Sequence, residues 1–142
     1  MRKYLLVGFG VVTMLLSGCN NSNMDYIIEN EPNIIGQENS YTQISMKEAI
    51  CMMNTETDYI ILDVRTPEEF ADKHIPNAVN IPNEVIGTEE IVELSDKDQL
   101  ILVYCRSGNR SKQASEKLVA LGYTNVYEFG GIKDWPGETV SE

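Results

Sequence analysis

The sequence predicts an α/β domain, a parallel β-sheet with helices on both faces. Three observations predict it. Two apolar runs, Tyr59-Ile60-Ile61-Leu62 and Gln99-Leu100-Ile101-Leu102-Val103-Tyr104, lack the alternation of a half-exposed strand and read as strands buried on both sides. Segments with helix-start signals lie between such runs, so strands and helices alternate along the chain. The second run leads into Cys105-Arg106-Ser107-Gly108-Asn109-Arg110-Ser111, a strand-to-helix loop. In open parallel sheets, ligands bind beyond the carboxyl ends of the strands.

The elements follow in order. Tyr41-Thr42-Gln43-Ile44 is a short strand candidate. Ser45-Met46-Lys47-Glu48 is a capping box, and its helix runs through Ala49, Ile50, Met52 and Met53 to about Asn54. Cys51 lies inside that helix and reads as a small core residue, with the methionines as gap-filling core. After Tyr59–Leu62 come Asp63-Val64-Arg65, then Thr66 as N-cap, Pro67 at N1 and Glu69 at N3, a strong helix start. That helix is brief and ends near His74-Ile75-Pro76. Ala78-Val79-Asn80-Ile81 is a third strand, closed by Pro82, and a further short helix broken at Gly87 fits Asn83 to Leu94. In the segment from Ser111 to Leu121, Ala114, Leu118 and Leu121 recur at helix spacing, and Gly122 supplies the stop. Val126-Tyr127-Glu128-Phe129 is the last strand, with Gly130-Gly131 as its breaker and Ile132 to Trp135 as a short turn or helix.

The chemistry concentrates at Cys105. Backbone N–H groups at a helix start, together with the helix dipole, favour an anion. Gly108 permits a tight bend, and Arg106 and Arg110 add two full positive charges. The first anion so favoured is the thiolate of Cys105, which makes it an activated nucleophile in an anion cradle. A buried structural cysteine is the plainer alternative, but two arginines and a glycine within five residues do not suit an apolar core.

Composition narrows the function classes. The chain has 142 residues, 42% of them hydrophobic and 23% charged, which fits a globular domain. Its net charge of −11 argues against nucleic acid as a partner. The arginine-bearing loop is therefore a local exception. Three cysteines with no C-x-x-C spacing indicate neither a disulfide framework nor a metal site, and no cofactor is expected.

The N-terminus reads as a targeting segment. Arg2 and Lys3 precede an apolar stretch, Leu5 to Leu16, too short to span a bilayer. It ends in Leu16-Ser17-Gly18-Cys19, which resembles the lipobox of bacterial lipoproteins. The resemblance implies a signal peptide over 1–18, cleavage before Cys19 and lipid on that cysteine. A plain secretory signal or an uncleaved anchor is the alternative. Cleavage takes the net charge from −11 to −13. By the same resemblance, the lipid is expected to place the chain at a bacterial cell membrane on its extracytoplasmic face. Residues 19–40, rich in Asn and acidic groups, read as a tether with a reach of ~25 Å. A monomer is expected.

Three blocks resemble the rhodanese (thiosulfate sulfurtransferase) family. They are Ile61-Leu62-Asp63-Val64-Arg65 with Glu68-Glu69-Phe70, His74-Ile75-Pro76-Asn77-Ala78-Val79-Asn80-Ile81-Pro82, and Tyr104-Cys105-Arg106-Ser107-Gly108-Asn109-Arg110-Ser111. Gly130-Gly131 followed by Trp135 fits the family's closing strand and turn. The resemblance covers about Tyr41 to Pro136 and implies a rhodanese-like domain over 41–142. One departure is visible. The family usually has Gly around the His-Ile-Pro turn, where this chain has Lys73 and Asn77. Asn tolerates the left-handed conformation, so the turn is expected to survive.

The resemblance implies sulfur transfer through a Cys105 persulfide, from a small sulfur-containing anion to a thiol acceptor. The loop from Arg106 through Ser107, Gly108, Asn109 and Arg110 to Ser111 would hold the donor and the persulfide sulfur. Arg110 either joins Arg106 on the donor or turns inward to hold the loop. Asp63 and Arg65 read as a structural ion pair bracing the site, His74 has no cysteine near it in sequence, and Trp135 reads as packing. Four residues separate Cys105 from Arg110. In the superfamily that spacing goes with sulfur, whereas the related phosphatases and arsenate reductases have five. Such an anion-loop enzyme, or a non-catalytic persulfide-binding module, is the alternative.

Overall fold

A computed structural model of the protein describes residues 40–88 and 90–142. The expected signal peptide, Cys19 and nearly all of the expected tether lie outside the described residues. The domain is a five-stranded sheet in the order β1-β5-β4-β2-β3, with every pairing parallel. The strands are β1 (Thr42–Gln43), β2 (Tyr59–Asp63), β3 (Val79–Asn80), β4 (Leu100–Cys105) and β5 (Val126–Gly131). The helices are α1 (Met46–Thr55), α2 (Pro67–Asp72) and α3 (Asn109–Ala120).

β4 is the middle strand and all six of its residues are buried. A side chain on a strand alternates between faces, and β4 divides accordingly. Ile101, Val103 and Cys105 join a core with Ala114 and Leu118 of α3. Leu100, Leu102 and Tyr104 join a second core with Ala49 of α1, Ile61, Ile75 and Phe129. Helices thus cover both faces, as a continuous apolar strand requires. Both capping boxes are formed, Ser45 with Glu48 at α1 and Thr66 with Glu69 at α2. Asn77 takes the left-handed conformation at φ 64°, so the His-Ile-Pro turn survives without a glycine there.

Three expectations change. Cys51 is exposed, because α1 turns Ala49, Met46, Met52 and Met53 toward the sheet and a residue two positions from Ala49 lies about 200° around the helix. Among the described residues of 83–94 there is no α-helix, only a single 3₁₀ turn at Val92–Leu94. Asn83 instead bonds to α3, donating from Nδ2 to Gln113 Oε1 at 3.1 Å and accepting Lys117 Nζ on its carbonyl at 2.6 Å. Finally, Gly130-Gly131 does not break the last strand but extends β5 to Gly131.

That extension positions the site. Val103 pairs with Glu128, yet Cys105 pairs with Gly131, so β5 spends one more residue than β4 over the same span. This is a bulge, and Gly130 takes it at φ +96°. Gly131 lies directly under the loop after β4. A Cβ there would fall inside the Arg106 carbonyl group and against Ser107 Cα.

Candidate active site

Cys105 ends β4, and Gly108 at φ 101° is the N-cap of α3. Unlike α1 and α2, α3 has no side chain bonded to its first N–H groups. Those groups are orphan donors unless something else accepts from them. Here the acceptor is sulfur: Gly108 N–H donates to Cys105 Sγ at 3.1 Å. Cys105 is 1% exposed. Burial pushes its thiol up, but the Ser111 hydroxyl and the N–H groups of Ser111, Ser107 and Gly108 outweigh burial and hold it below the ordinary thiol value. The donors around the Cys105 sulfur are thus Ser107, Gly108 and Ser111.

The two loop arginines part company. Arg106 is exposed and lines a cleft of about 320 Å³ beside the loop. Arg65, Lys73, Arg106 and Lys133 line it against Glu69 and Asp72, four cations to two carboxylates in a chain of net charge −11. Arg110 turns inward. It makes a bidentate pair with Glu69, Nη1 to Oε2 at 2.7 Å and Nη2 to Oε1 at 2.8 Å. The Arg110 hydrogen bonds, joined by the Thr66 N–H and the charges of Arg110 and Arg65, prevail over burial and hold the Glu69 carboxyl down at about 2. Glu69 therefore caps α2 and ties it to α3 at once. Asn109 is exposed at the first position of α3.

Asp63 and Arg65 are fully and nearly fully buried, at 0% and 4% exposure. Arg65 Nε and Nη2 both reach the Asp63 carboxylate, with Nη2 at 2.6 Å, and Nη2 also donates to the Lys73 carbonyl at 2.6 Å. The pair ties the end of β2 to the chain leaving α2, a bracing role. Tyr104 accepts the Ile75 N–H at 3.1 Å, which fixes the turn that follows. His74 is bound at Nδ1 to the Phe70 carbonyl at 2.8 Å and stacks on the Phe70 ring. It is not among the groups acting on Cys105. Trp135 packs beside Phe129 and donates to the Glu138 carbonyl.

One group of the site is not anticipated by sequence motifs. Glu128 is 0% exposed, on the α3 side of β5, and its Oε1 accepts Ser111 Oγ at 2.6 Å and Gly130 N at 2.9 Å. The available signal was parity. In Val126-Tyr127-Glu128-Phe129, Glu128 shares the face of the buried Val126. Among the described residues no group of three or more His, Cys, Asp or Glu side chains is arranged to hold a metal ion.

Comparison with known proteins agrees with this geometry. The sequence model of the rhodanese-like domain matches residues 45–138. The thiosulfate sulfurtransferase PspE of Escherichia coli K12 is 40% identical over 73 residues, covering 51% of this chain and 70% of the relative. The thiosulfate sulfurtransferase GlpE of Pseudomonas syringae is 36% identical over 90 residues, covering 60% of this chain and 83% of the relative. The crystal structure of a rhodanese-related protein from Thermoplasma volcanium superposes with a TM-score of 0.61 at 32% identity, over 72% of this chain and all of that one. The chain belongs to the rhodanese-like domain family and is a rhodanese-like sulfurtransferase.

Proposed function

We propose that Cys105 carries sulfane sulfur as a persulfide, taken from a small anionic donor such as thiosulfate and passed to a thiol. The observation that carries this reading is the Gly108 N–H at 3.1 Å from a buried Cys105 Sγ, in a loop whose other donors converge on the same atom. The thiolate attacks the outer sulfur of the donor. A bond forms between Sγ and that sulfur, the donor's own sulfur–sulfur bond breaks, and its electron pair leaves with sulfite. An acceptor thiolate, or cyanide, then attacks the outer sulfur of the persulfide and Cys105 leaves as the thiolate. Charge builds on the outer sulfur in the first step, where fixed N–H dipoles in a water-poor pocket stabilise it without reorganising. The cationic cleft at Arg106, Lys73 and Lys133 supports an anionic donor. Arg110 serves by holding α2 against α3 rather than by binding the donor.

The chain is further read as a lipoprotein, processed at Cys19 and held at the outer side of a bacterial cell membrane, with 19–40 as the tether and 41–142 as the catalytic domain. The working form is a monomer.

A side-by-side assay tests the activity. Thiocyanate formation from thiosulfate and cyanide is expected, lost in Cys105→Ser and retained in Cys51→Ser. Hydrolysis of an aryl phosphate that depends on Cys105 and exceeds sulfur transfer would favour the phosphatase alternative.

A further inference from the structure

We infer that Glu128 is the positioning residue of the Cys105 loop: its buried Oε1 joins the first turn of α3 to the bulge of β5 and so keeps the Gly108 N–H on the Cys105 sulfur. The proposal deepens the sulfur-transfer reading and rests on it for its purpose, though not for its test.

The start of α3 differs from the starts of the other two helices. In α1 and α2 the third residue is a glutamate, Glu48 or Glu69, and its carboxyl group accepts the N–H of the N-cap residue. In α3 the N-cap is Gly108 and the third residue is Ser111. Ser111 does not take the Gly108 N–H. That N–H is left for sulfur and donates to Cys105 Sγ at 3.1 Å. A capping box here would occupy the donor that the site uses. The start of α3 must therefore be held from elsewhere, and Glu128 holds it from the neighbouring strand. Ser111 Oγ donates to Glu128 Oε1 at 2.6 Å, and Gly130 N–H donates to the same oxygen at 2.9 Å. One atom thus links helix and bulge.

The link bears directly on Gly108. A Cβ on Gly108 would meet Gly130 Cα at 3.6 Å and Glu128 Oε1 at 3.8 Å, so the loop rests on the joint itself. Ser111 Oγ also lies 3.0 Å from the Gly108 carbonyl and 3.4 Å from the Gly130 carbonyl. A hydroxyl has one proton to give, and the contact to Glu128 is the shortest. Without that oxygen the proton turns to the Gly108 carbonyl, on the residue that carries the sulfur's donor, and the Gly130 N–H loses its partner. Both ends of the joint come free.

Packing alone does not account for a glutamate at this place. Glu128 and Ser111 are both 0% exposed. Glu128 shares the face of Val126, which belongs to the α3-side core, and an apolar side chain would fill that face at less cost. The buried Asp63 is paired with Arg65, whereas Glu128 makes no ion pair among the described residues and its Oε2 has no hydrogen-bond partner. Its placed contacts are the two at Oε1. Nor is Glu128 among the groups acting on Cys105 or lining the cationic cleft. It acts through Ser111 and Gly130, as a support that fixes a site without touching the reacting atoms.

The test follows iodoacetamide capture of Cys105 against pH on the full chain in detergent, read by peptide mass spectrometry with the exposed Cys51 as internal reference. The thiolate is the species captured, so the midpoint of the profile reports how well the loop N–H groups are placed. No sulfur donor is present, so failure of the sulfur-transfer reading and failure of this inference are separate results. Glu128→Met keeps the length of the side chain and removes the acceptor. Its Cys105 midpoint should rise, and capture at pH 7 should slow at least tenfold, with Cys51 unaffected. Glu128→Gln keeps an acceptor oxygen at the same place. Its capture should stay within about threefold of wild type, with a midpoint no higher. A side chain that only packs would lower the melting temperature and leave the midpoint of the folded protein where it was. A folded Glu128→Met with the wild-type midpoint and rate therefore overturns the proposal, as does a Glu128→Gln as slow as Glu128→Met. If Glu128→Met does not fold, Ser111→Ala decides: it cuts the helix end of the joint and should also raise the midpoint, and an unchanged midpoint there overturns the proposal.

Discussion

Cys105 and Glu69 show how single residues acquire function from what surrounds them. Cys105 is as buried as a core cysteine, and burial alone would make it inert. Four hydrogen-bonding groups reverse that outcome. Glu69 is the N3 residue of a capping box, and on sequence it needs no further role. Its pairing with Arg110 changes that and makes a pH dependence. The folded carboxyl is depressed to about 2 from an ordinary 4.5, so the stabilisation is fully present above about pH 4.5 and is lost as pH falls toward 2. The two side chains are 26% and 30% exposed, and solvent screening keeps the contribution to about 1 kcal/mol. Glu69→Gln should lower the unfolding free energy by about that amount at pH 7, and the gap should shrink steadily from about pH 4.5 down through pH 2. Denaturant titrations of both proteins across this range check it, and a gap that does not shrink between about pH 4.5 and pH 2 would assign the effect to the cap instead.

At the scale of elements, β5 decides whether the site exists. Its bulge sets Cys105 against Gly131, and the loop backbone rests where a Gly131 side chain would be. Gly131→Ala must move backbone rather than a flexible side chain. Overpacking of this kind costs about 1–3 kcal/mol, so the melting temperature should drop by roughly 10 °C, and sulfur transfer should fall at least tenfold. A variant with an unchanged melting temperature and full activity would show that the loop does not need this close approach. The same strand marks the limit of what the sequence makes legible. Strands, helix starts and the Cys105 loop announce themselves through local signals: continuous apolar runs, Ser-x-x-Glu and Thr-x-x-Glu boxes, and glycine before a helix. A bulge has no such signature, since Gly-Gly reads equally as a terminator. Nor does a long-range pair such as Glu69 with Arg110, 41 residues apart. Cys51 was misplaced for a related reason. Cysteine is usually buried, but on α1 its position two residues from Ala49 overrides its hydrophobicity.

For the whole molecule, charge sets where an anion is drawn. The chain carries −11 overall, yet the cleft beside the Cys105 loop gathers four cations, so a small anion is drawn to one place on a repelling surface. The fold was legible at this scale because the first and third blocks run off the carboxyl ends of β2 and β4, where an open parallel sheet keeps its site, and the second contains β3. The proposed lipid anchor predicts that the chain fractionates with bacterial membranes and that Cys19→Ala abolishes lipidation. Membrane association through an intact, uncleaved N-terminus would reject it. The central claim is that Cys105 itself carries the sulfur, and intact-mass spectrometry of the purified chain after incubation with thiosulfate tests it most directly. The account predicts a gain of one sulfur atom, mapped to Cys105, discharged by cyanide with one equivalent of thiocyanate and absent from Cys105→Ser. A protein that gains no sulfur, or gains it at Cys51, would contradict the account.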